Sequence, residues 1–222
     1  MISIIIRTKN EEKYLKKCLL ILNQQNFNNY EIIIIDNNSS DNTIKIAKKF
    51  KCKIIYYPKN LKFNYSKAIN IAINSSKGNL ISILSAHCIP YDNYWMYNAV
   101  KHFENIDVGA VYSKQIPTKN SKSSDTRDLF QVFRSETIYQ SKDSYFNNAS
   151  SFFRKSLWNS NKFDEKINGL EDLCWAREIQ KKNYKIVYEP KSKVYHYHGI
   201  NQNTDEKRLL RHIKILKDRK FI

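Results

Sequence analysis

The sequence predicts an α/β fold, a mainly parallel, Rossmann-like sheet flanked by helices. Three observations carry that expectation. Short, continuous isoleucine runs at Ile2–Ile6 and Glu31–Ile35 read as strands buried on both faces, the pattern of parallel sheets. Segments of helical period separate them, the first placing Leu15, Cys18, Leu19 and Leu22 on one face. Polar clusters follow directly on the strands, where open α/β sheets hold their ligands.

The length of 222 residues suits one domain. Lys and Arg number 38 against 21 Asp and Glu, a net charge of +17, yet 13% aromatic residues and the isoleucine runs argue against disorder. The four glycines, Gly78, Gly109, Gly169 and Gly199, form neither G-x-G-x-x-G nor a P-loop, which removes the ordinary dinucleotide fingerprint and that phosphate loop. Cys18, Cys52, Cys88 and Cys174 form no C-x-x-C pair, so scattered free thiols in a reducing cytosol are expected. The N-terminus meets a charge after five residues and reads as a first strand rather than an export signal. No apolar stretch reaches the roughly 20 residues of a membrane span. The excess positive charge admits nucleic acid, an anionic membrane surface or a phosphorylated substrate as partner.

In order, the chain reads as strand Ile2–Ile6, helix Glu11–Leu22 and strand Glu31–Ile35. Ser39, Ser40 and Asp41 then supply N-cap chemistry for a helix turning Ile44, Ala47 and Phe50 inward. Strand Lys53–Tyr57, helix Tyr65–Asn74 and strand Leu80–Leu84 follow. The second half predicts a helix at Tyr91–Phe103, a strand at Val108–Ser113, a loop at Pro117–Ser124 and a helix at Asp125–Tyr139 with Leu129, Val132 and Phe133 inward. A strand at Tyr145–Phe153, a helix at Glu171–Lys182 and short strands at Lys185–Glu189 and Lys193–Tyr197 complete it. No repeat or linker divides the chain, so residues 1–200 are expected to form one domain, and 201–222 to carry a basic amphipathic helix.

Three polar clusters should converge at one sheet edge: Arg7 to Glu11, Asp36 to Ser40, and Ser85 to Cys88. They offer a carboxylate, amides and hydroxyls, groups suited to a nucleotide. Their order resembles that of the family 2 glycosyltransferases of GT-A fold. The resemblance rests on IIIRTKNEEKYLKKCL, EIIIIDNNSSDNT, FNYSKAINIAINSSKGNLISILSAHCIP, NNASSFFRK, NGLEDLCWARE and VYHYHG, and covers residues 2 to 199. GAVYSKQIP followed by DTRDLFQVF is most similar to enzymes of bacterial surface-polysaccharide assembly, of the O-antigen or capsule kind.

The resemblance implies sugar transfer from a nucleotide-sugar donor to a glycan or lipid-linked glycan, with inversion at the anomeric carbon. Asp36 matches the acidic residue that contacts the base or ribose, its alternative being a turn cap. Thr8, Asn10, Glu11 and Asn38 border the nucleotide, and Lys67 matches a nearby basic position. Asp172 matches the general base on an acidic-pair helix. Neighbouring Glu171 points about 100° away, so one of the two faces the site. Asn148, Ala149, Trp175 and Arg177 fall on the acceptor side.

One element departs from the family. The fourth strand usually ends in an Asp-x-Asp-like pair that holds a divalent metal, and here Ser85-Ala86-His87-Cys88 stands there. Three readings follow. His87 ligates Mn²⁺ or Zn²⁺ together with His196 or His198, or binds phosphate without any metal, or the site is degenerate. Mg²⁺ is poorly served by such donors. The metal-free or weakly metal-dependent reading ranks first, and the intact Glu171-Asp172 pair argues against a degenerate site.

The final helix, 205–222, sets Lys207, Arg208, Arg211, Lys214, Lys217, Arg219 and Lys220 around Leu209, Leu210, Ile213 and Leu216. Such a helix docks on an anionic membrane, here the inner face of the plasma membrane, or packs on the sheet with a solvated basic face. Two other functions compete: a catalytically inactive scaffold of the same fold, and a nucleic-acid-binding protein. Against the latter, the basic residues are spread along the chain with no specific motif.

Overall fold

The computed structural model describes residues 1–197 and 206–222. Its first half alternates strictly: β1 (Ile2–Thr8), α1 (Glu12–Leu22), β2 (Tyr30–Asp36), α2 (Thr43–Lys49), β3 (Lys53–Tyr56), α3 (Tyr65–Asn74) and β4 (Leu80–Ser85). The second half runs β5 (Cys88–Pro90), α4 (Trp95–Val100), β6 (Val108–Pro117), α5 (Ser123–Val132), β7 (Ile138–Gln140), β8 (Ser150–Arg154), α6 (Lys155–Ser160), α7 (Glu171–Gln180), β9 (Lys185–His196) and α8 (Glu206–Asp218).

The strands form one sheet in the order β3-β2-β1-β4-β8-β6-β9-β5, with β7 also on β9. From β3 to β4 it is parallel. β8 then enters antiparallel to both β4 and β6, while β6 and β9 are parallel. Because β8 runs backwards, its first residues meet the ends of its neighbours: Ser150 pairs with Leu84, and Ser151 with Tyr112. The segment before β8 therefore reaches the edge at which β1, β4, β6 and β9 terminate.

Strand side chains alternate between two hydrophobic layers. Ile4 and Ile6 pack with Leu15, Leu19 and Ala47 on the α1–α2 side. Ile5 packs with Ile69, Ile73 and Ile179 on the α3–α7 side. Phe146, Phe153, Phe163 and Trp175 stack beneath α7, with Phe153 and Trp175 centroids 4.9 Å apart. Gly78 is required by close approach, since a Cβ there would lie 2.6 Å from the Ser3 backbone nitrogen.

Several boundaries differ from the sequence expectation. The helix expected over Asp125–Tyr139 spans Ser123–Val132, and β7 follows it. Leu129 and Phe133 are buried as expected, but Val132 is 41% exposed. Pairing of β7 with β9 captures the end of that segment, a tertiary gain that helical period cannot register. The strand expected at Tyr145–Phe153 is confined to Ser150–Arg154, and the helix at Tyr91–Phe103 is α4 plus a 3₁₀ turn at Lys101–Glu104. The two late strands are one, interrupted where Ser113 pairs with Glu189 but Lys114 with Lys193. Pro190, which has no N–H to give the ladder, sits in that bulge. β5 and α6 were not foreseen. Ser39 and Ser40 do not cap α2, which starts after Asn42; they bind back to Asp36 and Asn10 instead. No described helix is long and apolar enough to cross a membrane.

Candidate functional site

A cleft of about 590 Å³ opens at the carboxyl edge of the sheet. It has three regions, each set by a strand end or helix start.

At the first, β1 and β2 end side by side, Thr8 against Asp36. Asp36 is fully buried. Its Oδ1 accepts from Thr8 Oγ1 at 2.7 Å and Ser39 Oγ at 2.6 Å, and its Oδ2 from the Ser39 N–H at 2.8 Å. Asn10 and Asn38 both adopt left-handed backbone (φ 56), and Asn10 Oδ1 accepts from the Ser40 N–H. Such residues tolerate that conformation best after glycine. Arg7, Thr8, Lys9 and Asn37 line the cleft here, with Asp36, Asn10 and Asn38 standing behind them. The Arg7 guanidinium lies 4.6 Å over the Tyr65 ring. Lys67 points elsewhere, to Glu165 at 4.0 Å.

At the second, Ser85, Ala86 and His87 follow β4, and all three line the cleft. His87 Nε2 lies 3.2 Å from His196 Nε2, and its Nδ1 lies 3.5 Å from Glu11 Oε1. Pairing of β5 with β9 sets Cys88 opposite His196 and so brings the histidines together. Two imidazole nitrogens this close can share one proton, or straddle one ion at N–metal distances of about 2.0–2.1 Å. Among the described residues, His87, Cys88 and His196 are the group whose donor atoms gather, within 4.8 Å of one another. Burial first, then the neighbouring Cys18 and Glu11, hold the Cys88 thiol well above its ordinary value in the absence of a metal. This nitrogen and sulfur donor set fits Mn²⁺ or Zn²⁺ on His87 and His196, with Cys88 beside them, better than Mg²⁺, which takes oxygen ligands. His198 lies outside the described residues.

At the third, α7 begins with Glu171 and Asp172. Leu170 before it is left-handed (φ 57), and Gly169 has φ 120. This turn aims both carboxylates at the cleft, where one alone was expected. Asp172 Oδ2 accepts from the Asn148 N–H at 2.9 Å, and its Oδ1 from the Leu173 N–H at 2.9 Å. Burial first, and the adjacent Glu171 charge second, raise Asp172 to about 7, against the lowering effect of those N–H donors. Glu171 has its own counter-charge, Arg7 Nη1 at 3.9 Å. Asn148 and Ala149 also line the cleft.

Six expected site residues do not line the cleft: Asp36, Asn10, Asn38 and Lys67 of the first region, and Trp175 and Arg177 of α7. Trp175 is buried in the aromatic cluster, its Nε1 donating to the Asn161 carbonyl at 2.7 Å. Arg177 grips the C-terminus: Nη1 donates to the carbonyls of Arg219 and Lys220, and its guanidinium lies 4.4 Å over Phe221. Trp175 stands one turn on from the acids, on their side of α7 but packed down into the core, whereas Arg177 lies on the opposite side.

Other cleft residues were missed by sequence reasoning. α8 turns Arg208, Arg211 and His212 into the cleft and buries Ile215, leaving Leu209 and Leu210 outward. A Cβ on Gly169 would lie 2.9 Å from His212 Nε2, so glycine permits that approach. Burial, then Arg208 and Arg211, lower the His212 pKa. The i, i+3, i+4, i+7 spacing of 208, 211, 212 and 215 was the available signal. Gln115, near the end of β6, also lines the cleft.

The family model described as Glycosyl transferase family 2 matches residues 3–161. An O-antigen chain rhamnosyltransferase of Salmonella typhimurium is 24% identical over 93% of this chain and 69% of its own length. A dolichyl-phosphate-linked sugar glucuronosyltransferase of Methanococcus voltae is 35% identical over 47% of this chain and 34% of its own. Among solved structures, a mannosyltransferase from Pyrobaculum calidifontis in complex with GDP-Man and Mn²⁺ superposes with TM-score 0.72 at 19% identity, covering 95% of this chain and 60% of that one. S. aureus TarS 1-349 in complex with UDP-GlcNAc gives TM-score 0.72 at 17% identity, covering 97% and 66%. At such identities the likeness shows the fold, that of GT-A glycosyltransferases, as the sequence predicted.

Proposed function

The chain belongs to glycosyl transferase family 2, and from that premise we propose that it transfers a sugar from a nucleotide-sugar donor to a glycan or lipid-linked glycan in surface-polysaccharide assembly, inverting the anomeric carbon. The observation that carries the reading is Asp172: a cleft carboxylate raised to about 7 and aimed by two backbone N–H groups. A base poised near neutral pH suits removal of a proton from a hydroxyl as it attacks.

In this reading the nucleoside lies along Thr8, Lys9 and Asn37, with Asp36 and Ser39 holding the turn behind it. The diphosphate lies toward Ser85, His87 and His196. The acceptor oxygen attacks the anomeric carbon, its proton passes to Asp172, and the bonding pair leaves with the diphosphate. Arg208 and Arg211 offset the charge that develops on the leaving group. A divalent ion held by His87 and His196 supplies the same electrostatic stabilisation when bound, and Glu11 orients the His87 ring through Nδ1.

The test is Asp172→Asn. Turnover with a panel of nucleotide sugars should fall about 10³-fold, within the range for loss of a general base. Calorimetric affinity for the parent nucleotide should hold, measured with Mn²⁺ and again with EDTA. Unchanged turnover in the variant would sink the assignment and favour the inactive-scaffold reading, which the missing carboxylates at Ser85-Ala86 motivate.

The outward face of α8 extends the proposal to the membrane surface. Leu209 and Leu210 are each 59% exposed beside Lys207 and Lys214. Replacing both leucines by Glu should abolish sedimentation with anionic vesicles at low salt, and retained binding rejects the idea.

A further inference from the structure

Two amide side chains in the cleft have no part in the chemistry above. Gln115 is 2% exposed and Asn148 is 3% exposed, yet both line the cavity. Gln115 Nε2 and Asn148 Nδ2 are buried without a hydrogen-bond partner. The other end of Asn148 is occupied, since its Oδ1 accepts from Ser151 Oγ at 2.9 Å. A buried polar group left unpaired is costly, and folded chains seldom keep one without a use. Here two such amides face one cleft.

Topology gives their position. β6 lies between β8 and β9. Gln115, on β6, pairs with Val194, two residues before His196. Asn148, just before β8, donates its backbone N–H to Asp172. The amides thus stand between the histidine pair and the acidic pair. In the reading proposed above, on which this inference rests, the leaving diphosphate lies at one of those ends and the attacking hydroxyl at the other. The transferred sugar lies between.

The chemistry agrees. Neutral amides match a diphosphate less well than Arg208 and Arg211 do. A sugar hydroxyl both donates and accepts, so it satisfies an amide end whichever way the amide is turned. We infer that Gln115 and Asn148 form the subsite that reads hydroxyl groups of the transferred sugar, and thereby set which sugar is accepted.

The experiment uses Gln115→Met and Asn148→Ser, each titrated calorimetrically with UDP, GDP and dTDP, and with UDP-glucose, UDP-N-acetylglucosamine, GDP-mannose and dTDP-rhamnose. Each variant should bind the best nucleotide sugar about tenfold more weakly, the weight of one hydrogen bond. Affinity for the parent nucleoside diphosphate should change less than twofold. A mono-deoxy series of that sugar should contain one member that binds the wild type and Gln115→Met alike. Gln115→Met should also unfold at a higher temperature than the wild type when free of ligand, because the orphaned amide is gone. Equal losses for nucleotide and nucleotide sugar, or equal losses across the deoxy series, overturn the inference. A wild type that binds a nucleoside diphosphate but gains nothing from its sugar overturns the inference alone. A wild type that binds no member of the panel overturns the functional reading with it.

Discussion

Asp172 and Glu189 are both carboxylates withdrawn from solvent, and their surroundings drive them in opposite directions. Asp172 is raised to about 7, by burial and then by Glu171 at its side. At Glu189 burial also pushes upward, but His102, the Lys191 N–H and Lys101 outweigh it and hold the group at about 2. His102 Nε2 lies 2.6 Å from Glu189 Oε2, Lys101 Nζ lies 3.4 Å from the same oxygen, and the Lys191 N–H donates to Oε1 at 2.8 Å. Burial alone therefore does not make a base. What separates the two is whether the shell supplies cations: Glu189 is pinned as a structural anion in the bulge of β9, while Asp172 has only backbone N–H donors and a like charge.

The comparison breaks most visibly at Glu189. Glu189→Ala strips the charge from His102 and Lys101 and should lower the unfolding free energy by about 3 kcal/mol, the scale for breaking a buried pair from one side. A thermal melt within a degree of the wild type would show the cluster to be ornamental. The next effect is on the pH profile. Asp172 must be deprotonated to act, so kcat/KM should climb with pH and level off above about 7. Glu171→Gln removes the like charge and should move that limb down by about one pH unit. A limb that stays in place would mean burial alone raises Asp172.

The smallest effect is on stability, and here the two carboxylates have opposite signs. Glu189, lowered to about 2 from 4.5, stabilises the fold above pH 4.5, and this is lost as pH falls through 2. Asp172, raised to about 7 from 3.8, contributes stability below pH 3.8, and this is lost as pH rises through 7. Asp172→Asn should therefore stabilise the protein by about 0.5–1 kcal/mol at pH 8, the usual bargain between active-site function and stability. Chemical denaturation of both proteins at pH 5 and pH 8 reads it directly, and an equal difference at the two pH values would contradict it.

The first half was legible because its signals are local. Each isoleucine run and each helical stripe reports its own element, and chain order then places Thr8, Asp36 and Ser85 on adjacent parallel strands. Asp36 was legible as the acid that closes β2, but not as a group whose two oxygens take three hydrogen bonds from its own neighbourhood. Trp175 and Arg177 share α7 with the acidic pair, and proximity in sequence suggested a common site. One turn of axial rise carries Trp175 from the cleft into the aromatic core, and helical rotation turns Arg177 to the C-terminus.

By itself the sequence determined the α/β class, the sheet edge that carries the cleft and the acids on α7. Strand and helix periods, with polar residues at strand ends, are properties of contiguous residues. Only the tertiary structure decided the rest. His87 and His196 meet across 109 residues because β5 pairs with β9. Gln115 faces the cleft because β6 is inserted between β8 and β9. Arg208 and Arg211 reach it because α8 packs back over Gly169. Each of these depends on which distant elements bury their apolar faces together, a global balance of packing that no local pattern in the chain records.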